Sequence, residues 1–239
     1  MFYTTSNLRR LCNSNTLFAD GTFRTAPRLF RQFYTVHGIV ENNVYPLVFC
    51  LDTRKTETMY TEIIEQLKHR TAMLGFNLSP HRVRVDLEMA VMNSIRLILP
   101  GTRVIGCLFH YGQVIWRQTT SFGLRSAYDN DVAVKNSVNY LLALPWLIFL
   151  MFLIRYIMQL KRQSSLFGNM SKQVYVRGRR VRGRRRASTP LFPPEIWNAY
   201  ESCLNGFIRT NNFMEAWPSK FAKVIATKHS QLWNFIEQI

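Results

Sequence analysis

The 239 residues are 47% apolar, which suits one large domain, or one domain with an insertion, and permits a sizeable core. Lys and Arg number 31 against 14 Asp and Glu, a formal charge of +17 that favours polyanionic partners, either nucleic acid or an acidic membrane surface. Cys12, Cys50, Cys107 and Cys203 form no C-x-x-C pair and the polar start lacks the apolar run of a secretory signal, so a structural zinc finger is not supported and reduced, intracellular thiols are expected.

Residues 1–16 are polar and read as an N-terminal arm. Leu17, Phe18 and Ala19 then run into Asp20, and Gly21-Thr22-Phe23 continue a strand predicted over 17–23. Asp20-Gly21 alone is a hairpin-turn signal; on a central strand the carboxylate faces a cleft instead. Strands over 32–40 and 44–50, joined by a turn at Glu41-Asn42-Asn43, suggest an antiparallel meander. A helical period sets in over 56–74, where Met59, Ile63, Ile64 and Leu67 share a face and Gly75 suits the C-terminus. A strand over 83–87 carries Asp86, and a helix over 88–99 ends at Pro100-Gly101. A strand over 102–110 and a helix over 111–122 follow, with Trp116 expected in the core. The order is βββαβαβα, an α/β arrangement whose later strands are parallel because helices connect them.

The charge is uneven. Eleven basic residues and no acid lie between residues 155 and 186, which leaves only +6 for the rest of the chain. Seven of the eleven are Arg177, Arg179, Arg180, Arg182, Arg184, Arg185 and Arg186. Such a run is a solvated loop, a nuclear import signal or a phosphate-binding patch, and these readings are compatible. Residues 141–158 approach the length of a membrane span with basic residues following. Pro145 and Arg155 count against a span, and a buried helix within an insertion is the favoured reading.

Several strings, in order from about residue 17 to 239, resemble the transposase domain of Mutator-like elements, the MULE family. They are Ala19-Asp20-Gly21-Thr22-Phe23, Asn43-Val44-Tyr45-Pro46-Leu47-Val48, Val85-Asp86-Leu87-Glu88-Met89-Ala90 and Gly106-Cys107-Leu108-Phe109-His110. Tyr175-Val176-Arg177-Gly178-Arg179-Arg180, Pro193-Pro194-Glu195-Ile196-Trp197-Asn198 and Arg209-Thr210-Asn211-Asn212 with Glu215 and Trp217 complete the set.

The resemblance implies a ribonuclease-H-like mixed sheet with a helical and basic insertion before the last acid. It divides the chain into an arm over 1–16, a core over 17–124, an insertion over 125–194 and a C-terminal helical part over 195–239. The implied activity is DNA strand cleavage and strand transfer in cut-and-paste transposition. A DDE motif of Asp20, Asp86 and Glu215 would hold two Mg²⁺ or Mn²⁺ ions, hard cations that take carboxylate oxygens. Glu88, Cys107 and His110 are implied in supporting roles. For Glu88 a carboxylate at a helix N-terminus, favoured by the dipole, is the simpler role. Cys107-x-x-His110 is half of a metal site at most, so a structural role is the better reading.

The family pattern at the third acid reads Glu-Gly-Trp-His, whereas this chain has Glu215-Ala216-Trp217-Pro218. A Pro removes a backbone N–H and restrains the preceding residue, which bears on how Glu215 is aimed. The implied partners are double-stranded DNA, at transposon ends and target, and a second copy of the chain; the implied location is the nucleus. No DNA-reading module precedes the core in this sequence, so a truncated or decayed copy is expected. A non-catalytic DNA-binding protein derived from a transposase is the alternative, and a membrane protein spanning near 141–158 the second.

Overall fold

In a computed structural model the described residues are 1–23, 25–146, 191–204 and 232–236. They form two units, Met1–Ile105 with Asn211–Ile239, and Gly106–Thr210.

The first unit is built on a five-stranded mixed sheet in the order β3-β2-β1-β4-β5. Its strands are β1 (Thr16–Thr22), β2 (Gln32–Val40), β3 (Asn43–Asp52), β4 (Arg82–Val85) and β5 (Arg103–Gly106). β1, β2 and β3 pair antiparallel, whereas β4 runs parallel to β1. Glu41 and Asn42 make the β2–β3 turn at positive φ, the backbone that a two-residue hairpin needs. Pro46 donates nothing to a ladder, and it sits on the edge strand β3, beside the register shift at Val36/His37.

The N-terminal residues, expected as a polar arm, contain a helix, α1 (Thr5–Cys12), capped by the Thr4 hydroxyl. Leu8 and Leu11, three apart on one face, are fully buried. Ser14 Oγ, just beyond the helix, accepts from the Ile39 N–H at 3.1 Å. A Cβ on Gly38 would come within 2.6 Å of that Oγ, so the close approach needs glycine. A bridge between Phe2 and Phe49 adds a further tie to the sheet edge.

Helix α2 (Glu57–Met73) starts at the Thr56 cap and ends before Gly75, whose φ of +76° suits glycine. It buries Tyr60, Ile63, Leu67 and Thr71. Helix α3 (Met89–Ile98) packs beside it, and Ser94 Oγ donates to the Glu57 carbonyl at 2.9 Å. Gln32, Phe33, Val36, Leu47, Val48, Val83 and Val85 fill the sheet's interior. α9 (Leu232–Ile236), the last helix described, sets Phe235 edge-on to Phe33 at 4.8 Å.

In the second unit α4 (Leu108–Ser121) is followed by α5 (Arg125–Asn130) and α6 (Val132–Ala143). The predicted strand over 102–110 therefore stops at Gly106, and Cys107 already occupies the α4 N-cap. Short helices α7 (Pro194–Trp197) and α8 (Tyr200–Leu204) complete the unit's described residues. Trp197 is buried, stacks on Tyr111 and donates its Nε1–H to the Phe192 carbonyl at 2.9 Å. Trp116, expected in the core, is partly exposed and lies edge-on to Tyr128.

The segment 141–158 does not begin as one helix. Leu141 ends the buried face of α6, and Leu144–Trp146 form a 3-10 turn around Pro145, a residue that cannot continue an α-helix ladder. Residues 147–158 lie outside the described residues. Among the described residues no helix is long and apolar enough to cross a membrane.

Candidate metal centre

β1 and β4 lie side by side in parallel, with Phe18 opposite Arg84. Two residues further along that register set Asp20 opposite Asp86, which directly follows β4. Their carboxylate oxygens lie within 4.8 Å of each other. Both residues are partly buried, at the point where apolar strands give way to a sheet edge. Asp20 Oδ1 accepts from the Gly21 N–H at 2.9 Å, which helps to fix its rotamer. The Glu88 N–H donates to the Asp86 carbonyl at 2.7 Å, closing a tight turn before α3.

Two carboxylates at this distance repel, and a divalent cation between them relieves the repulsion. Carboxylate oxygens are also the hard donors that Mg²⁺ and Mn²⁺ take, so the pair fits such ions. The fields of both acids reach a neighbour: the buried Tyr34 hydroxyl is held well above its ordinary range by burial first, then by Tyr60, Asp86, Cys50 and Asp20.

Behind the pair runs a hydrogen-bonded chain that local sequence does not announce. The Tyr60 hydroxyl is 3.3 Å from Gln32 Oε1 and 3.3 Å from Glu88 Oε2, and Glu88 Oε2 receives Lys55 Nζ at 2.6 Å. Glu88 was expected to face the helix dipole. It occupies the α3 N-cap but makes no side-chain cap bond, and its carboxylate is turned to Lys55 and Tyr60. Lys55 Nζ also lies 5.2 Å from the centre of the Phe23 ring. Burial raises the Tyr60 hydroxyl far above the usual phenol range, with Glu88 and Asp86 adding to the rise and the Gln32 bond opposing it. Tyr60 therefore stays protonated.

Cys107 and His110 belong to the second unit. Cys107 is fully buried at the α4 N-cap, its carbonyl accepting from the Tyr111 N–H. His110 is in the first turn of α4, partly buried and edge-on to Phe109 at 5.6 Å. Glu215 and the seven arginines from Arg177 to Arg186 lie outside the described residues.

Gln32, Lys55 and Tyr60 were missed at the sequence level because their roles come from pairings about thirty residues apart. The one available signal was the apolar-face position of Tyr60 on α2, which marks burial and not a polar partner.

A five-stranded mixed sheet flanked by helices, with paired acids on its central strands, is compatible with a ribonuclease-H-like transposase fold. Residues 16–113 match the family model of the MULE transposase domain, from β1 into the first half of α4. A comparison with curated proteins yields no match.

Proposed function

We propose that the chain is a transposase-type enzyme of ribonuclease-H-like fold that cleaves and joins DNA strands. The observation that carries this reading is the Asp20–Asp86 pair, within 4.8 Å at adjacent strand ends of the segment matching the MULE transposase domain.

Asp20 and Asp86 would hold the metal ions, with Glu215 as the third carboxylate. When bound, two divalent cations supply an activated oxygen nucleophile and stabilise the oxygen that departs. In the first step a water oxygen attacks phosphorus, the bond to the 3′-oxygen breaks, and that oxygen leaves as a 3′-hydroxyl. In strand transfer this hydroxyl attacks a target phosphodiester, one P–O bond forming as another breaks. The Gly21 N–H on Asp20 and the 86–88 turn at Asp86 would hold the two carboxylates in place through both steps. The arginines from 177 to 186 would grip the backbone through bidentate phosphate contacts, independently of base sequence. On this reading the protein would act on DNA in the nucleus.

The test is nicking of supercoiled plasmid with Mg²⁺ or Mn²⁺ by the native chain, Asp20→Asn and Pro218→His. Nicking lost in Asp20→Asn supports the reading. Nicking that appears only with Pro218→His assigns the native chain to decayed copies with an intact pair. Metal-independent DNA binding without nicking in any version favours a non-catalytic DNA-binding protein.

A further inference from the structure

We propose that Lys55 is a DNA phosphate-binding residue of this centre, held ready by Glu88. The inference rests on the transposase reading and names a contact within that site. Phe23 follows Asp20 by three residues and Glu88 follows Asp86 by two; the Lys55 ammonium reaches both, at 5.2 Å from the ring centre and 2.6 Å from Oε2. It thereby bridges the exits of the two strands that carry the acids. Glu88 is fixed from behind by the Tyr60 hydroxyl and from below by the tight turn at Asp86. The position of Lys55 is thus set by the same turn that sets a proposed metal ligand.

Neutralising Glu88 does not exhaust this placement. The side chains of Lys55 and Glu88 are 28% and 22% exposed, so the pair is partly buried yet the ammonium can still be reached from solvent. An ammonium carries three N–H donors, so one can stay on Glu88 while others turn to phosphate oxygens. A phosphate drawn to ions that Asp20 and Asp86 would hold adds negative charge next to an already acidic edge. Lys55 offsets that charge as a point cation that adapts to phosphate without demanding a fixed fork.

The experiment measures binding of a labelled short duplex to the full chain across a salt series. Ca²⁺ replaces Mg²⁺ so that no strand is cut. Lys55→Ala should weaken binding several-fold and lower the log–log salt slope by about 0.9, the contribution of one phosphate contact. Lys55→Arg should restore both. The double variant Lys55→Ala with Glu88→Gln, which leaves no unpaired carboxylate, should show the same lowered slope and so separates the contact from misfolding. Lys68→Ala is the control, since Lys68 lies away from the pair and donates to the Ile98 carbonyl. An unchanged slope in both Lys55→Ala proteins, or an equal drop in Lys68→Ala, would overturn the proposal while leaving nicking by the Asp20–Asp86 pair intact. No binding by the native chain would overturn both readings.

Discussion

Two regions of one sheet edge carry aspartates and treat them oppositely. β1, β3 and β4 run the same way, because β1 and β3 are each antiparallel to β2 and β4 is parallel to β1. Asp20, Asp52 and Asp86 therefore all come at the C-terminal ends of like-directed strands. Between β1 and β4 two carboxylates meet, partly open to water. On the edge strand Asp52 is 96% buried, and its Oδ2 has no hydrogen-bond partner among the described residues. Gln32, the register partner of Asp52, lies between the two places, with its side chain against Gly21. A carboxylate at a strand end is thus no signature by itself; a second one across the ladder, with water access, gives an arrangement that fits a divalent cation.

The largest expected effect separates the two regions outright. Asp20→Asn and Asp86→Asn should each cut metal-dependent nicking by at least about 100-fold, since metal catalysis tolerates little misplacement. Asn keeps the oxygen that accepts from the Gly21 N–H, so the fold should survive at position 20. Mg²⁺ should raise the native melting temperature, by an amount equivalent to about 2.7 kcal/mol at 100 times Kd, and should lose that effect in either variant. Asp52→Asn should keep both nicking and the Mg²⁺ shift. If Asp52→Asn abolished them and Asp20→Asn did not, the centre would lie on the edge strand.

How far the sequence reveals this division differs from element to element. Asp20 and Asp86 stand out because each terminates an apolar β-prone run, and the order of elements between them leaves few topologies. Asp52 ends a run as well, but nothing local says that Tyr3, Met59 and Ile63 will gather at a 320 Å³ cavity beside it. α1 stays hidden because a polar average over 1–16 conceals Leu8 and Leu11 on one face. The strand predicted over 102–110 overruns because Val104, Ile105, Cys107 and Leu108 fit either period. The Lys55–Glu88 pair joins residues 33 positions apart, beyond the reach of any local pattern.

A smaller effect should follow from disturbing the spacer between the regions. A Cβ at Gly21 would come 2.7 Å from Gln32 Cδ. Gln32 is fully buried, so its amide has little room to withdraw. Gly21→Ala should destabilise the chain by about 1–3 kcal/mol in denaturant unfolding, as overpacking does, and loosen the Gln32–Tyr60 bond behind Glu88. Its nicking loss should be smaller than that of Asp20→Asn. Unchanged stability would mean that Gln32 swings aside freely and separates nothing.

The smallest effect is a pH signature confined to the edge strand. Burial raises the Asp52 carboxyl from 3.8 to about 6, with the N-terminal amine opposing the rise. The folded chain then holds this proton to higher pH than the unfolded chain does. The linked stability is present below about pH 4 and is lost as pH rises through about 6. Asp52→Asn never ionises, so it should gain on the native chain over that window and keep the gain at pH 7.5. The cavity beside Asp52 gives water a way to its carboxyl, which limits the gain to the order of 1 kcal/mol, a few degrees in Tm. His37 titrates with the opposite sign: burial lowers it from 6.5 to about 3, so its stability is full above 6.5 and falls as pH drops. It is present in both proteins and cancels in the difference between their pH profiles. A difference that grows from pH 4 to 6 and then levels identifies Asp52 as the buried, unshared carboxylate of the edge. A flat difference would make it a solvated acid, and the contrast with the Asp20–Asp86 pair would then rest on geometry alone.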